Sequence, residues 1–365
     1  MDTRHIFPVK RPEGRTNCRL GRALLALCLV ATLAACSVGP GATQSEPVTV
    51  HFGYFPNLTH AQALIGVANG AFQQALGPDV KLEPTVFNAG PSEIEAMFAG
   101  KLDIGYIGPN PAVNGYVKSN GDALRIIAGA TSGGAVLVVR ADAGIHSAAD
   151  FEGKRIASPQ LANTQDVSLR HWLLANGHQL SETGGKTSVL PTNNPDILTL
   201  FRKKELDAAW VPEPWGAQLQ VDAGAQLFLD ERDLWPGGQF ATTELIVSRK
   251  FLSDHPDIVE KFVTAHVELT QWIIQHPDDA KTIANKEIQR LSGVALSQAV
   301  LDLAWSRLNV TYDPLQASVF TSSDWAFADG FLGDQKPDLG HLFDLSVLNE
   351  VLKAKNLPAI AQVQP

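Results

Sequence analysis

The sequence predicts an α/β protein of two similar lobes, each a mostly parallel sheet flanked by helices. Three observations lead there: a duplicated pattern of proline corners, a steady alternation of strand and helix, and an ordinary folded composition. Pro56-Asn57-Leu58 is followed by Pro109-Asn110-Pro111, and Pro159-Gln160-Leu161 by Pro212-Glu213-Pro214, with one spacing of 53 residues in both (109 − 56 and 212 − 159). The copies agree internally as well. Each first corner leads to an Ala-Asn-Gly stop, at Ala68-Asn69-Gly70 and Ala175-Asn176-Gly177, and each second corner follows Leu-Asp and an apolar stretch, from Leu102 and Leu206. Two copies are too few for a solenoid, so they imply two lobes facing each other, and a cleft between lobes suits a small ligand. Hydrophobic residues at 45% and charged residues at 18% exclude general disorder.

The elements follow in order. Val48 to Tyr54 alternates and is rich in Val, Phe and Tyr, which predicts a strand running into Pro56. Asn57 or Thr59 can cap a helix over His60 to Asn69, with Gly70 as its left-handed stop. A helix from Ser92 to Ala99, a strand from Leu102 to Ile107, a helix beginning near Pro111 and a strand from Ile126 to Ala130 come next. Thr131-Ser132-Gly133-Gly134 then leads to the apolar run Ala135 to Val139. The second lobe repeats the scheme: a strand from Lys154 to Ala157, a helix capped by Asn163 or Thr164, a helix from Pro195 to Lys204, a strand from Leu206 to Val211 and a helix from Trp215. Such alternation predicts parallel strands. The strand Leu245 to Ser248 marks the return, and only helices are expected beyond it. Their apolar stripes, Ile258, Phe262, Ala265, Leu269 and Trp272, then Val300, Ala304 and Leu308, should pack on lobe 1. The expected division is 48–140 with 243–365 for lobe 1 and 141–242 for lobe 2, with hinges near Val139 to Ala141 and Ala241 to Thr243.

The N-terminus reads as an export signal. Arg15, Arg19 and Arg22 precede the apolar run Ala23 to Ala35, which is too short for a permanent span. Leu33-Ala34-Ala35-Cys36 resembles the lipobox of bacterial lipoproteins, in which the cysteine thiol takes a lipid. Residues 1–35 are then a signal peptide and 36–47, rich in Gly, Pro, Ser and Thr, a flexible tether that holds the protein to a membrane through Cys36. Cys18 and Cys28 lie within the leader, so no disulfide or cysteine metal site is expected. The leader holds six basic and two acidic residues, and its removal takes the formal charge from −9 to −13. So acidic a body argues against nucleic acid as a partner.

With these segments in hand, the chain resembles the solute-binding lipoproteins of ABC importers, in the aliphatic sulfonate, taurine and nitrate branch. FGYFPNLTHA from Phe52, SGGAVLVV from Ser132, PQLANTQDVSLRHWL from Pro159, WVPEPW from Trp210 and LWPGGQFATTELIV from Leu234 carry the likeness, from Val48 to about Trp272. The resemblance implies a two-lobed type II periplasmic binding protein fold with extra C-terminal helices on lobe 1. It implies a monomer on the outer side of the cytoplasmic membrane, or the inner leaflet of an outer membrane, that closes on a small-molecule solute and docks on ABC permease subunits. Taurine, an amine-bearing solute or a thiamine pyrimidine precursor remains open beside a plain organosulfonate.

In parallel sheets, ligands bind beyond the C-terminal strand ends, where loops run into helix N-termini. The pieces meeting that condition carry Asn57, Thr59, His60, Asn110, Ser132, Thr164 and Gln165, with Gly133 and Gly134 allowing close backbone approach; Thr243 stands at the return. None of these pieces contains Lys or Arg. Neutral donors at helix starts can hold an oxyanion, although each residue would serve equally as a cap or turn. Glu213 beside Trp215 would suit an amine-bearing end, or would simply end a strand. Asp166 is either a ligand or an N-terminal helix charge. No spacing fits a metal site, no cofactor is implied, and no G-x-S-x-G or H-E-x-x-H occurs. An enzyme that makes the thiamine pyrimidine shares the fold, but its cysteine-rich iron motif has no counterpart after Cys36. A sensory lipoprotein would have the same sequence features.

Overall fold

The computed structural model describes residues 47–365 as one compact unit. The proposed leader, Cys36 and the tether up to residue 46 lie outside the described residues. The chain begins with β1 (Val48–Tyr54), a 3-10 turn over Leu58–His60, α1 (Ala61–Ala68), α2 (Ala71–Leu76), β2 (Val80–Val86), α3 (Gly90–Phe98), β3 (Ile104–Ile107), α4 (Pro109–Lys118) and β4 (Leu124–Gly133). It crosses over as β5 (Ala135–Arg140) and repeats the order: β6 (Arg155–Ser158), α5 (Thr164–Ala175), β7 (Ser188–Pro191), α6 (Asn194–Arg202), β8 (Ala208–Pro212), α7 (Trp215–Ala223) and β9 (Ala225–Asp230). It returns as β10 (Ala241–Ser248). The remainder is α8 (Arg249–Asp254), α9 (Pro256–Gln275), α10 (Pro277–Ser292), α11 (Gln298–Trp305), β11 (Leu308–Val310), α12 (Gln316–Ala328) and α13 (Ser346–Ala354).

Two sheets result, ordered β11-β4-β10-β3-β1-β2 and β7-β6-β8-β5-β9. The internal repeat is visible in them. Strands β2-β1-β3 and β7-β6-β8 are the parallel trios, and each is followed by a strand that has crossed from the other lobe, β10 or β5, lying antiparallel. The sheets are therefore mixed, where strand-helix alternation predicts mostly parallel ones. Alternation governs only strands joined by helices, whereas β4–β5 and β9–β10 are joined by crossings that reverse the chain within a sheet. Because β5 pairs with β8 and β9, it belongs to the second sheet, and the first crossing lies at Gly133–Gly134 rather than near residues 139–141.

Both sheets are buried on two faces. Along β5, Val136 and Val138 join one core cluster with Phe201 and Leu219, while Leu137 and Val139 join another with Phe151, Trp172 and Trp210. Alternate side chains of a strand point to opposite faces, so an unbroken apolar run means cover on both. In the first lobe Phe52, Tyr54, Phe72 and Tyr106 pack beneath α9, with Phe72 stacked on Phe262 at 4.3 Å. The α9 stripe packs as its spacing predicts: Ile258, Phe262, Ala265 and Leu269 are buried and Trp272 is partly so.

Candidate functional site

The four proline corners lie at the ends of β1, β3, β6 and β8, where the parallel trios deliver the chain into helices. They meet around one small cavity. Lobe 1 contributes Phe55, Asn57, Thr59 and His60 from the first corner, Gly90 from the start of α3, and Gly108 and Pro111 from the start of α4. Lobe 2 contributes Asn163, Thr164 and Gln165 from the start of α5, with Pro212 at the end of β8, and Thr242 comes from the return strand. Measured as space open to the centre of a water molecule, the cavity is about 20 Å³, enough for one water or a few ligand atoms. Among the residues lining it there is no Lys, Arg, Asp or Glu. A larger cavity of about 480 Å³ lies between Trp235, Gln316 and Ile360, but neither repeat lines it, and we assign the site by convergence rather than by size.

The walls are held from outside the cavity. The Trp215 indole donates to Asn57 Oδ1 at 2.9 Å, and Leu58 N–H donates to the Glu213 carbonyl at 3.1 Å, so the corners are tied across the cleft. Asn163 Oδ1 caps α5 by accepting from Asp166 N–H at 2.8 Å, and its amide donates to Gln165 Oε1 at 3.3 Å. Thr131 Oγ1 donates to the Thr59 carbonyl at 2.6 Å. The helix starts approach so closely that a Cβ on Gly108 would stand 2.3 Å from Thr164 Oγ1. Thr164 Oγ1 is buried without a hydrogen-bond partner, a cost that a solute acceptor would remove.

His60 is buried and its Nδ1 accepts from Phe55 N–H at 3.3 Å, so the proton of the neutral ring resides on Nε2. Burial lowers its pKa to about 3. The ring is an uncharged donor at any ordinary pH.

Several expected contacts fall elsewhere. The Glu213 carboxylate is fully buried, receives Arg307 Nη1 at 2.7 Å and Ala217 N–H at 2.9 Å, and so caps α7 while pairing with lobe 1. Burial raises its pKa against the opposing pull of Arg307. It stands outside the chamber lining. Asp166 also lies outside the lining, accepting from Ser158 Oγ at 2.5 Å, Ala162 N–H at 2.9 Å and Arg170 Nε at 2.9 Å. Trp215 reaches the site only through Asn57.

Gly133 and Gly134 serve the crossing: both have positive φ, and a Cβ would stand 2.6 Å from the Arg307 carbonyl and 2.9 Å from the Thr59 methyl. Asn110, Ser132 and Thr243 are buried, each with one unpartnered oxygen, but stand outside the lining; the Asn110 amide donates to the Ser322 carbonyl at 3.1 Å. Sequence reasoning missed Phe55, Gly90 and Thr242, whereas Gly108 to Pro111 was among the segments expected at the cleft. Gly90-Pro91 signals a helix start, as Gly108-Pro109 does, and that signal could have found Gly90. Among the described residues no cluster of three His, Cys, Asp or Glu could hold a metal.

Two lobes facing each other across a small chamber suit the binding of a small solute. The chain matches the NMT1-like family over residues 43–287 and belongs to it. It is 24% identical over 258 residues to the taurine-binding periplasmic protein of Escherichia coli K12, covering 69% of this chain and 76% of the relative. Its fold is similar to that of the alkanesulfonate-binding protein SsuA from Xanthomonas axonopodis pv. citri bound to MOPS (TM-score 0.66, 19% identity, 80% of this chain and 97% of that one). It is also similar to the periplasmic nitrate-binding protein NrtA from Synechocystis PCC 6803 (TM-score 0.67, 15% identity, 86% and 90%). The protein is thus a substrate-binding protein of the NMT1-like family, related to the taurine, sulfonate and nitrate periplasmic binding proteins.

Proposed function

We propose that the protein captures a small organosulfonate, or an oxyanion of similar shape, between its lobes and delivers it to a permease without transforming it. The supporting observation is the meeting of the α4 and α5 N-termini across a small chamber walled by uncharged donors. Helix starts present unpaired N–H groups and a favourable dipole to an anion. Asn57, Thr59, His60, Thr164 and Gln165 add side-chain donors at the same wall. The names of the taurine and alkanesulfonate relatives support the ligand class. The arginine-led leader ending in Cys36 supports export and a lipid anchor, and Cys36→Ser should release the protein from the membrane fraction.

The test is a thermal-shift screen of the full-length protein in mild detergent. A ligand that binds only the folded state raises the melting point. Methanesulfonate or ethanesulfonate should do so. With no carboxylate at the chamber wall, taurine should bind no more tightly than ethanesulfonate. A shift from a cationic heterocycle, with none from any sulfonate or nitrate, would overturn the assignment.

A further inference from the structure

Away from the chamber the lobes also meet through aromatic rings. The second crossing, residues 231–240 between β9 and β10, carries Trp235 and Phe240, both buried and stacked with 5.5 Å between ring centroids. Trp325 of α12 packs against Trp235 at 4.7 Å and stacks on His171 of α5 at 4.2 Å, the last two planes only 8° apart. Helix α12 is fixed to the first lobe: its Ser322 carbonyl accepts from the Asn110 amide at 3.1 Å, and its Ser318 Oγ accepts from Ala241 N–H at 2.9 Å. Helix α5 is built into the second lobe through Leu169 and Leu173. The His171–Trp325 stack therefore spans the lobes. One residue earlier, the Arg170 guanidinium lies over the Phe331 ring at 5.8 Å, a second contact in the same direction.

The helix itself connects this stack to the chamber. Thr164, Ser168 and His171 stand at i, i+4 and i+7, which is one face of an α-helix. Along that face Thr164 lines the chamber, Ser168 Oγ donates to Glu231 Oε1 at 2.8 Å where the second crossing begins, and His171 meets Trp325. Seven residues at 1.5 Å each put His171 about 10 Å down the axis from Thr164.

We propose that Trp325 is a positioning residue for solute binding: by clasping His171 it holds the start of α5 at the chamber, although neither ring lines the chamber. This rests on the reading of the chamber as the binding site. A solute that touches both lobes binds the form in which they meet, so any other contact favouring that form raises its affinity. The stack suits a contact that must also part. Both rings are half-buried, so water can replace each partner when the lobes separate to release the solute, which a pair sealed in a core would not allow.

The experiment titrates the full-length protein in detergent calorimetrically with methanesulfonate, as wild type, Trp325→Ala, Trp325→Phe, His171→Ala and the double alanine variant. Each single alanine variant should bind about 2- to 12-fold more weakly, equivalent to roughly 0.5–1.5 kcal/mol for one aromatic pair. The double variant should bind no more weakly than either single one, because the same contact is lost only once. Trp325→Phe, which keeps a ring on His171, should bind close to wild type. Hydrogen exchange of the ligand-free proteins gives a second reading: amides 163–168 should exchange faster in both alanine variants and recover in Trp325→Phe. A tryptophan that served only to pack α12 would loosen α12 and leave the start of α5 protected. Losses that add in the double variant overturn the clasp, and so do unchanged affinity and exchange in His171→Ala, which stands even where Trp325→Ala fails to fold. If methanesulfonate does not bind the wild type, the oxyanion reading falls, and exchange at 163–168 alone decides whether Trp325 holds α5.

Discussion

Pro109-Asn110-Pro111 and Pro212-Glu213-Pro214 are the same motif at the same place in the two repeats, yet they do different work. The first opens into α4, whose start faces the chamber through Gly108 and Pro111. The second gives the chamber only Pro212, while Glu213 turns to α7 and to Arg307 of the other lobe. One corner therefore opens onto the chamber and the other ties the lobes together near the crossing. The lesson is that an internal repeat reports topology: it does not report which copy carries the ligand chemistry.

The largest effect should follow from breaking the second corner. Glu213 is fully buried and the Arg307 side chain is 6% exposed, so truncating either leaves a buried charge alone. Glu213→Ala or Arg307→Ala should each cost about 3–5 kcal/mol, read as a lower denaturation midpoint in urea. The counterpart Asn110→Ala should cost about 1 kcal/mol, the worth of one hydrogen bond. Equal losses at the two corners would erase the distinction.

A glycine beside each corner sharpens it. A Cβ on Gly108 meets Thr164 Oγ1 of the opposite lobe, whereas a Cβ on Gly216 meets Val136 Cγ2 at 2.2 Å within its own lobe. Overpacking costs about 1–3 kcal/mol in either case, but at Gly108 the clash exists only when the lobes close. Gly108→Ala should weaken sulfonate binding about 5- to 150-fold with little change in ligand-free stability. Gly216→Ala should lower stability and spare affinity. Calorimetric titration and melting of both variants decide the matter, and reversed phenotypes would refute the placement.

The lobes also differ in how they hold buried carboxyls. Glu213 has Arg307, but Glu93 lies against Gly53 and Gly105 with neither oxygen partnered. Burial raises the Glu93 pKa well above its usual 4.5. The folded protein therefore retains a proton that the unfolded chain releases above pH 4.5. This contribution to stability is whole below that pH and is lost as the pH rises toward the folded value. Glu93→Gln, which cannot ionise, should melt about 2–4 °C above the wild type at pH 8, for roughly 1 kcal/mol regained. The gap should close by pH 4. A constant gap would mean that Glu93 does not titrate within the fold.

What the sequence made legible follows from the reach of each signal. The two lobes, the first and second corners and the α9 stripe are local periodicities that burial then enforced. β2 was missed because V-K-L-E-P-T-V sits at a sheet edge with polar residues exposed and a proline inside. The lining residues Asn57, Thr59, His60, Thr164 and Gln165 were legible as cap-type residues at strand-to-helix turns. The fate of Glu213 was not, since its partner lies 94 positions away, on a segment that reads locally as plain helix. The steric constraint on Gly108 was hidden for the same reason, since it comes from Thr164 in the other repeat.

The smallest effect is one that should be absent. His60 sits at the first corner of lobe 1, lines the chamber, and has its pKa lowered to about 3 by burial. An imidazolium there would draw an anion in, and affinity would climb steeply as the pH fell through 6.5. A neutral ring predicts the opposite, sulfonate affinity constant within about twofold from pH 5 to pH 8, because the sulfonate too stays ionised over that range. Stability does carry the mark of His60. The unfolded chain takes up a proton near pH 6.5 that the folded protein refuses until about pH 3, so the His60 contribution declines as the pH falls through that window. His60→Asn removes the group, and its melting point relative to wild type should improve between pH 6.5 and pH 4. Titrations at pH 5, 6, 7 and 8 test the first expectation. A rise of tenfold or more toward acid would show His60 charging on the ligand, and the uncharged-donor account of the first corner would then be wrong.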